Sequence, residues 1–408
     1  MSYLGSGTQP VAYADTTQVD SFGRLRTSDS NVLLDSQLDF DLQPLLWQNV
    51  LTGGGSVTHD EPDATAVLAV TAAAGDEVIR QTRRYWKYRA GQSLRITMTS
   101  VFGAPVAGVI REQGFFDDDN GIFLRQNASG GIELVVRSNV TGTPAETVIP
   151  QGSWNKDPLN GAGPSELTLD ITKAQIFWID LQWLGVGRVP GGFNINGVDV
   201  EIHEFLHSNI IDTVYMSTGT LPVRYRIFND TGANPAEFRA ICSSVFWEGG
   251  SEGPGYLTSA DTGITPYSAT VALTSLVAIR LNSTHIRATL RALSFEVVNA
   301  GVNDVRAVLL HFTPDNVPAG LTWSAGSGDA SEISTDNVAV TEANGYRIQT
   351  EYVLNSTGKK ASVQVAEVDS YLRVAADYAG ASDVIVLAVQ TVTNTSDCYG
   401  TISYKELY

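Results

Sequence analysis

The sequence holds a pattern with the spacing of a catalytic metal site at His203–His207, which reads HEFLH. In a zinc hydrolase of this type the two histidines lie one helical turn apart and bind zinc, and the glutamate acts as general base. The preceding Val198–Ile202 instead alternates apolar and polar residues after an Asn-Gly turn, which predicts a β-strand. The longer zinc motif needs glycine and a third histidine where Ile210 and Thr213 stand. We predict a strand end with local hydrogen bonds and no metal; a distant acidic ligand such as Glu237 is the open alternative.

A second acidic motif, Asp117–Gly121 (DDDNG), resembles the start of a calcium loop. An EF-hand loop needs a bidentate glutamate at its twelfth position, where this sequence has Ala128. Aromatic and apolar residues flank the motif on both sides, which favours the tip of a β-hairpin. We predict a hairpin here, with an incidental cation at Asp117–Asp119 left open.

The sequence shows no further catalytic constellation. No Ser-His-Asp arrangement, nucleophile elbow or P-loop is visible, and no cofactor motif is complete. Pairs of carboxylates for glycoside hydrolysis remain open, because 44 acidic residues offer many pairs whose separations a sequence does not give. We predict no catalytic residues, no metal and no cofactor.

Basic and aromatic residues are interleaved between Arg80 and Arg89. If this segment is a strand, its alternation places Arg84, Trp86 and Tyr88 on one face. Exposed clusters of arginine and aromatic residues are typical of interfaces, so we predict a contact surface at these three residues. The alternative is a solvated sheet face on which long side chains cover the aromatic rings.

Composition and charge exclude several classes of protein. The chain has 408 residues, 43% of them apolar, and a net charge of −18. Such an acidic surface would be repelled by a nucleic-acid backbone and by an anionic membrane, and no stretch approaches the roughly 18 apolar residues of a membrane span. The start of the chain lacks the basic and apolar segments of a signal peptide. We expect Cys242 and Cys398 to be reduced structural thiols.

The elements that must position these motifs are β-strands. Leu94–Thr99 alternates apolar with polar residues, and Phe177–Trp183 does the same. Gly 38 and Pro 15 supply frequent turns between such runs. Many short strands at this spacing predict an all-β protein built from sandwiches.

Composition shifts predict the order of the domains. Residues 1–35 are rich in Gly, Ser, Thr, Asp and Gln and show no helical period, which predicts an extended N-terminal arm. Residues 36–248 form a first β-sandwich, and the Gly- and Pro-rich residues 249–255 form a linker. Residues 256–408 resume the alternation and form a second β-sandwich.

A string of segments over about residues 17–248 resembles structural proteins of tailed bacteriophages and related viruses. In chain order, the segments are DSFGRLRTSDSNVLLDSQLDF (20–40), IRQTRRYWKYRAGQS (79–93), FFDDDNGIFLRQ (115–126), QIFWIDLQWLGVGRVPGGFNINGV (175–198), HEFLHSN (203–209) and DTVYMSTGTLPVRYRI (212–227). Each segment is short, and it is their order that makes the resemblance specific. No comparable signature follows residue 256.

The resemblance implies a non-enzymatic virion component with a lectin-like or jelly-roll-like β-sandwich: a head decoration protein, a head fibre or a tail-associated protein. We expect the arm to anchor it to major capsid or tail proteins, with Phe22, Arg24, Leu25 and Arg26 as the candidate anchor. A homotrimer is the expected oligomer, by analogy with decoration and fibre proteins. The expected location is the virion, assembled in the host cytoplasm.

Two other functions stay open on the sequence. A tail fibre or adhesin could bind host glycans through aromatic residues such as Trp86, Trp178 and Trp183, although the alternation places Trp183 in the core and Trp178 on the other face. An enzyme would need either a metal at His203 and His207 or a pair of carboxylates in a groove.

Overall fold

The structure is a computed structural model. It describes residues 30–232, 234–249, 255–355, 360–364 and 373–408, and of residues 360–364 it describes the backbone. The predicted anchor residues Phe22, Arg24, Leu25 and Arg26 lie outside the described residues, as does most of the predicted linker.

The described strands fall into two compact units. The first unit contains β1 Ser30–Gln37, β2 Trp47–Thr52, β3 Ser56–Asp60, β4 Thr65–Val70, β5 Glu77–Thr82, β6 Leu94–Val101, β7 Val109–Phe116, β8 Gly121–Gln126, β9 Ile132–Ser138, β10 Ala145–Pro150, β11 Gln175–Leu181, β12 Val189–Ile195, β13 Val198–Phe205, β14 Val223–Asn229 and β15 Ala236–Glu248.

The second unit contains β16 Tyr256–Asp261, β17 Tyr267–Ala269, β18 Thr274–Leu281, β19 Thr289–Asn299, β20 Val305–Phe312, β21 Ser324–Ala325, β22 Ser331–Ser334, β23 Tyr346–Val353, β24 Lys360–Gln364, β25 Val384–Thr391 and β26 Ser396–Leu407. Short 3₁₀ helices lie at Gln151–Ser153, Pro314–Asn316 and Glu342–Asn344. The all-β prediction is confirmed.

The first unit is two antiparallel sheets packed face to face. One sheet has the order β13-β12-β11-β6-β15-β4-β3, with β1 also paired to β15, and the other has the order β10-β9-β8-β7-β14-β5-β2. The predicted alternation is visible in β6, where Leu94, Ile96 and Met98 are buried between the sheets and the intervening residues are half-buried. Inward-facing residues from both sheets form one core.

The first sandwich begins earlier than the sequence predicted. Residues 30–35, assigned to the extended arm, belong to β1, which pairs antiparallel with the C-terminal half of β15 from Ser30↔Glu248 to Gln37↔Cys242. Leu34 is 2% exposed. The polar composition of the segment concealed a strand because only its alternate residues enter the core.

The second unit is also built from two antiparallel sheets. Their orders are β16-β26-β19-β24, with β17 also paired to β26, and β21-β22-β18-β25-β20-β23. Residues from both sheets form a core that includes Leu276, Phe295 and Ile402. The outer face of the six-stranded sheet is apolar as well and is covered by residues such as Leu321 and Trp323. Among the described residues, no helix is long and apolar enough to cross a membrane.

Candidate functional site

The HEFLH motif lies at the end of β13 and not on a helix. His203 and Glu204 are within the strand, and His207 follows it. The loop residue Asn155 holds this strand end: its backbone N–H donates to His203 Nδ1 at 3.1 Å, and its Oδ1 accepts from the Glu204 N–H at 2.9 Å. The predicted strand end with local hydrogen bonds is therefore present.

The bonds of the two imidazoles fix opposite tautomers. His203 Nδ1 accepts a hydrogen bond from the Asn155 backbone N–H, so a neutral His203 carries its own proton on Nε2. His207 Nδ1 lies 2.8 Å from the Gly187 carbonyl and must donate to it, so its Nε2 holds the lone pair. A zinc ion bound in the HExxH manner needs a lone pair on both side chains. Here Nε2 carries a lone pair in His207 but a proton in His203, so the two side chains cannot both bind zinc through Nε2.

Glu204 is committed to two cations. Its carboxylate lies 2.7 Å from Lys156 Nζ and 3.0 Å from Arg188 Nη1. A general base needs a free carboxylate beside the reacting water. Among the residues that the structure describes, no group of three or more His, Cys, Asp or Glu side chains could hold a metal ion. The side chains of His203, Glu204 and His207 therefore hold the end of β13 in place, and we call these three residues the strand clamp.

We expect Glu204→Gln to lower the free energy of unfolding by about 1 kcal/mol, because it removes two partly exposed ion pairs and no catalytic group. The measurement is a urea titration of both proteins. Wild-type protein dialysed against zinc should carry no stoichiometric, EDTA-sensitive metal by mass spectrometry. One bound zinc per chain, lost on Glu204→Gln or His203→Ala, would contradict the clamp.

The histidines of this clamp make the first unit sensitive to mild acid. Burial lowers the pKa of His203 and of His207 below 6.5, although Glu204 and the Gly187 carbonyl act in the opposite direction. The unfolded chain therefore takes up protons first, so stability is complete above pH 6.5 and falls as the pH drops towards the lowered values.

His207→Phe should keep a ring stacked on Tyr215, which the imidazole contacts at a centroid distance of 3.8 Å. Without a titrating group at this position, the variant should lose less stability than wild type between pH 7 and pH 5. Urea midpoints at both pH values measure this. Equal losses in the two proteins would show that His207 titrates as it does in the unfolded chain.

The DDDNG motif forms the turn between β7 and β8, as predicted. Asp117 Oδ1 accepts from the backbone N–H groups of Asp119 and Asn120 at 2.9 and 2.7 Å. Asp118 pairs with Arg224 at 2.6 Å, and Asn139 Nδ2 donates to Asp119 at 3.0 Å. The three carboxylates thus stabilise the turn itself.

The predicted contact surface at Arg84, Trp86 and Tyr88 does not form as a shared exposed face. The strand β5 ends at Thr82, and the alternation beyond it is not that of a strand. Trp86 is 0% exposed and donates its indole N–H to Thr82 Oγ1 at 3.2 Å. Tyr88 is 9% exposed and donates its hydroxyl to Gln182 Oε1 at 2.6 Å. The structure corrects this prediction, because both rings belong to the interior and only Arg84 stays half-buried.

The other two candidate tryptophans are not open platforms either. Trp178 is on the outer face of its sheet, as predicted, but it is 2% exposed. The Arg95 guanidinium lies 4.6 Å from its ring centroid and is held there by Asp199 at 2.6 Å. The ring needs Gly192 beside it, since a Cβ at that position would lie 2.7 Å from the indole. Trp183 is partly buried against the core.

The outer face of the seven-stranded sheet carries a chain of ion pairs that the sequence did not reveal. At its centre is Glu112 on β7, which is 0% exposed. Its neighbours in register are Arg226 on β14 and Arg125 on β8, at N–O distances of 3.0 and 2.7 Å. Arg226 continues to Glu77, and Arg125 continues to Glu146 at 2.8 Å. We call these residues the cross-strand ion chain.

Phenylalanine rings pack beneath the arginines of this face. Phe116 and Phe123 are 0% exposed, and their centroids are 4.4 Å apart. The Arg137 guanidinium lies 4.9 Å from the Phe123 centroid, and its Nη2 is 2.8 Å from Glu146. Gly114 leaves room for this packing, because a Cβ there would lie 2.6 Å from the Cα of Phe123. The ion pairs of this face connect six neighbouring strands, so its charged side chains are paired with one another.

One pattern in the sequence indicated part of the cross-strand ion chain. The run Val223–Ile227 alternates apolar residues with Arg224 and Arg226, so both arginines had to share a face. The partners of Arg226 are Glu77 on β5 and Glu112 on β7, more than 100 residues earlier in the chain. Sequence alternation gives the face of a side chain but not the strand that lies beside it.

No family model and no curated protein matches the chain. Solved structures that share its general architecture include a legume lectin-like domain from Entamoeba histolytica, with 9% identity and a TM-score of 0.33; the match covers 52% of this chain and 96% of that one. A glycoside hydrolase family 16 endo-glucanase from Bacteroides ovatus has 10% identity and a TM-score of 0.35, and the match covers 52% of this chain and 99% of that one. A protein of unknown function from Shewanella oneidensis has 7% sequence identity and a TM-score of 0.36. The match covers 60% of this chain and 100% of that protein. These TM-scores are too low to carry an argument about activity.

Proposed function

We propose that this protein is a non-enzymatic structural component of a tailed phage particle, a head decoration or fibre protein anchored through its N-terminal residues. The observation that carries the proposal is that HEFLH, with the spacing of a catalytic metal site, uses its side chains to hold a strand end. His203, Glu204 and His207 each have a structural partner. The resemblance of residues 17–248 to phage structural proteins supports the same conclusion.

The chemistry of the chain fits a protein that must last outside a cell. The cross-strand ion chain ties together strands that are distant in sequence. Two cysteines and three methionines offer few groups to oxidise. A net charge of −18 would keep neighbouring particles apart.

The position of β1 suits an anchor. Residues 1–29 lead directly into β1, which is hydrogen-bonded to the long strand β15 of the eight-stranded sheet. A pull on the N-terminal residues would therefore be transmitted to a sheet and not to a loop. Docking to capsid or tail proteins, and assembly as a homotrimer, belong to this proposal.

Deletion of residues 1–29 tests the anchor, because it removes Phe22–Arg26 and leaves β1 intact. The truncated protein should fold and should be missing from purified particles by immunoblot. Deletion of residues 1–15 is the matched control, and this protein should still be incorporated. Normal incorporation of the 1–29 deletion would overturn the anchoring role.

A tail fibre or adhesin that binds host glycans is the second candidate. The observation that favours it is in the second unit, where Tyr256 and Tyr408 are 64% and 42% exposed and lie side by side. Adsorption of the phage to its host in the presence of antibody against the second unit separates the two candidates. Decoration predicts unchanged adsorption, and an adhesin predicts its loss.

A further inference from the structure

We propose that one end of the second sandwich binds an oligosaccharide, with one pyranose ring stacked on the exposed face of the Tyr256–Tyr408 pair. The proposal deepens the adhesin candidate by naming its site and ligand class. It does not depend on the anchor or on a place in a virion, and it is tested on the isolated protein. Three features of the second unit carry it: an exposed aromatic cluster, an unsatisfied buried carboxylate, and a cleft on the same loop.

The aromatic cluster is an exposed, stacked pair of tyrosine rings. The rings of Tyr256 and Tyr408 have centroids 5.6 Å apart and planes inclined by 22°. His285 packs its ring against Tyr408 at 5.6 Å. Contiguous exposed apolar surface often marks a binding site, and a tyrosine offers both an apolar face and a polar hydroxyl. The C–H face of a pyranose can pack on the apolar face of a tyrosine ring, and its hydroxyls can hydrogen-bond with the tyrosine hydroxyl.

Acidic groups adjoin the cluster. Glu406 is opposite Tyr256 in the register of β16 and β26, so both side chains are on the same face of the sheet. It is 0% exposed, and its Oε2 accepts from the Ala330 N–H at 3.2 Å. Its Oε1 has no hydrogen-bond partner among the described residues. Asp329 directly precedes Ala330, and partial desolvation together with the Asp329 carboxylate raises the pKa of Tyr408.

An unsatisfied buried carboxylate oxygen is costly and needs an explanation. Because Glu406 is 0% exposed, a bound sugar would reach its Oε1 through a bridging water, which would donate the missing hydrogen bond. The acidic surroundings disfavour a phosphate or an acidic peptide as occupant. A ligand rich in hydroxyl donors and with apolar ring faces fits both the rings and the acids.

The loop between β18 and β19 connects the cluster to a cleft. Ser283 of this loop lines the cleft, and His285 of the same loop contacts Tyr408. The cleft has a volume of about 270 Å³ and includes Arg280, whose guanidinium is fixed over Trp323 at 4.3 Å. An oligosaccharide with one ring on the tyrosines and another in the cleft would follow this loop. This is why we propose an oligosaccharide and not a single sugar.

The test is a printed glycan array followed by titration of the best ligand by calorimetry. Tyr256→Ala and Tyr408→Ala should each weaken binding about tenfold, the loss typical of a residue central to a contact. Tyr352→Ala is the matched control, because Tyr352 is 60% exposed on the edge strand β23 of the other sheet. This control should bind within about twofold of wild type. Thermal melts of all three variants verify folding.

A blank array, with no binding of cellotriose or triacetylchitotriose up to about 10 mM, would overturn the proposal. Glycan binding that is unchanged in both Tyr256→Ala and Tyr408→Ala would also overturn it. Self-association lost on Tyr256→Ala would assign the cluster to a second copy of the chain and would count against a glycan. None of these results bears on incorporation into particles, so failure here and failure of the anchor are distinguishable.

Discussion

Replacing Glu112 with glutamine should lower the free energy of unfolding of the first unit by about 3 kcal/mol, since breaking a buried ion pair leaves uncompensated charge. Glu112 is 0% exposed and lies between Arg226 and Arg125 at 3.0 and 2.7 Å. Glutamine keeps the shape and removes the charge that both arginines need. A urea titration followed by tryptophan fluorescence measures the effect, because all tryptophans except Trp323 are in the first unit.

The control for this prediction is Glu133→Gln. Glu133 is on the same face but lies 3.9 Å from Arg125, so its loss should change the unfolding free energy by no more than about 0.5 kcal/mol. Burial tends to raise the pKa of Glu112, but the arginines outweigh it and the pKa is lowered below 4.5. Its contribution is therefore complete above pH 4.5 and is lost as the pH falls further. Equal effects of the two substitutions would contradict the stabilising role of Glu112 in the cross-strand ion chain.

Replacing Trp86 with alanine should destabilise the first unit by about 3–5 kcal/mol, the usual cost of removing a buried tryptophan from a core. Its side chain is 0% exposed and belongs to the core between the two sheets. The substitution also removes the indole donor to Thr82. The same urea titration measures this loss.

Phe40→Ala is the control for Trp86, because Phe40 is 91% exposed and should change stability by no more than about 0.5 kcal/mol. The result also decides between the sequence interpretation and the structure. A contact surface at Trp86 predicts a stable variant that fails to bind a partner. Such a variant would contradict the burial of Trp86.

Strands of one apolar face were predictable from the sequence. The alternation of residues 94–99 predicted β6, and the first five residues of the run 177–183 lie in β11. In such segments the side-chain period and the buried face agree, so local and global preferences coincide. The motif at residues 203–207 was assigned to a strand end for the same reason, since the preceding residues already alternate.

The segment around Trp86 was not predictable in this way. Alternation states which residues share a face, but it does not state that the segment stays in a sheet or that the face meets water. Here β5 ends at Thr82, and the aromatic residues beyond it turn inwards because burying large rings is more favourable than exposing them. Similarly, the polar residues at the start of β1 concealed a strand.

Contacts between distant strands were also beyond the sequence. Glu112 and Arg226 meet only because β7 and β14 are neighbours, and Tyr256 meets Glu406 only because β16 pairs with β26. The register of such pairs depends on the complete sheet. Both the cross-strand ion chain and the tyrosine cluster therefore required the structure.

A count of this chain in purified phage particles tests the proposed role most directly. Quantitative mass spectrometry of density-gradient particles, with a soluble host enzyme as the contamination standard, gives copies per particle. Our proposal predicts a fixed, stoichiometric number in intact virions that withstands washing in high salt. Recovery of the protein only in the soluble lysate, at or below the level of the host enzyme, would contradict it.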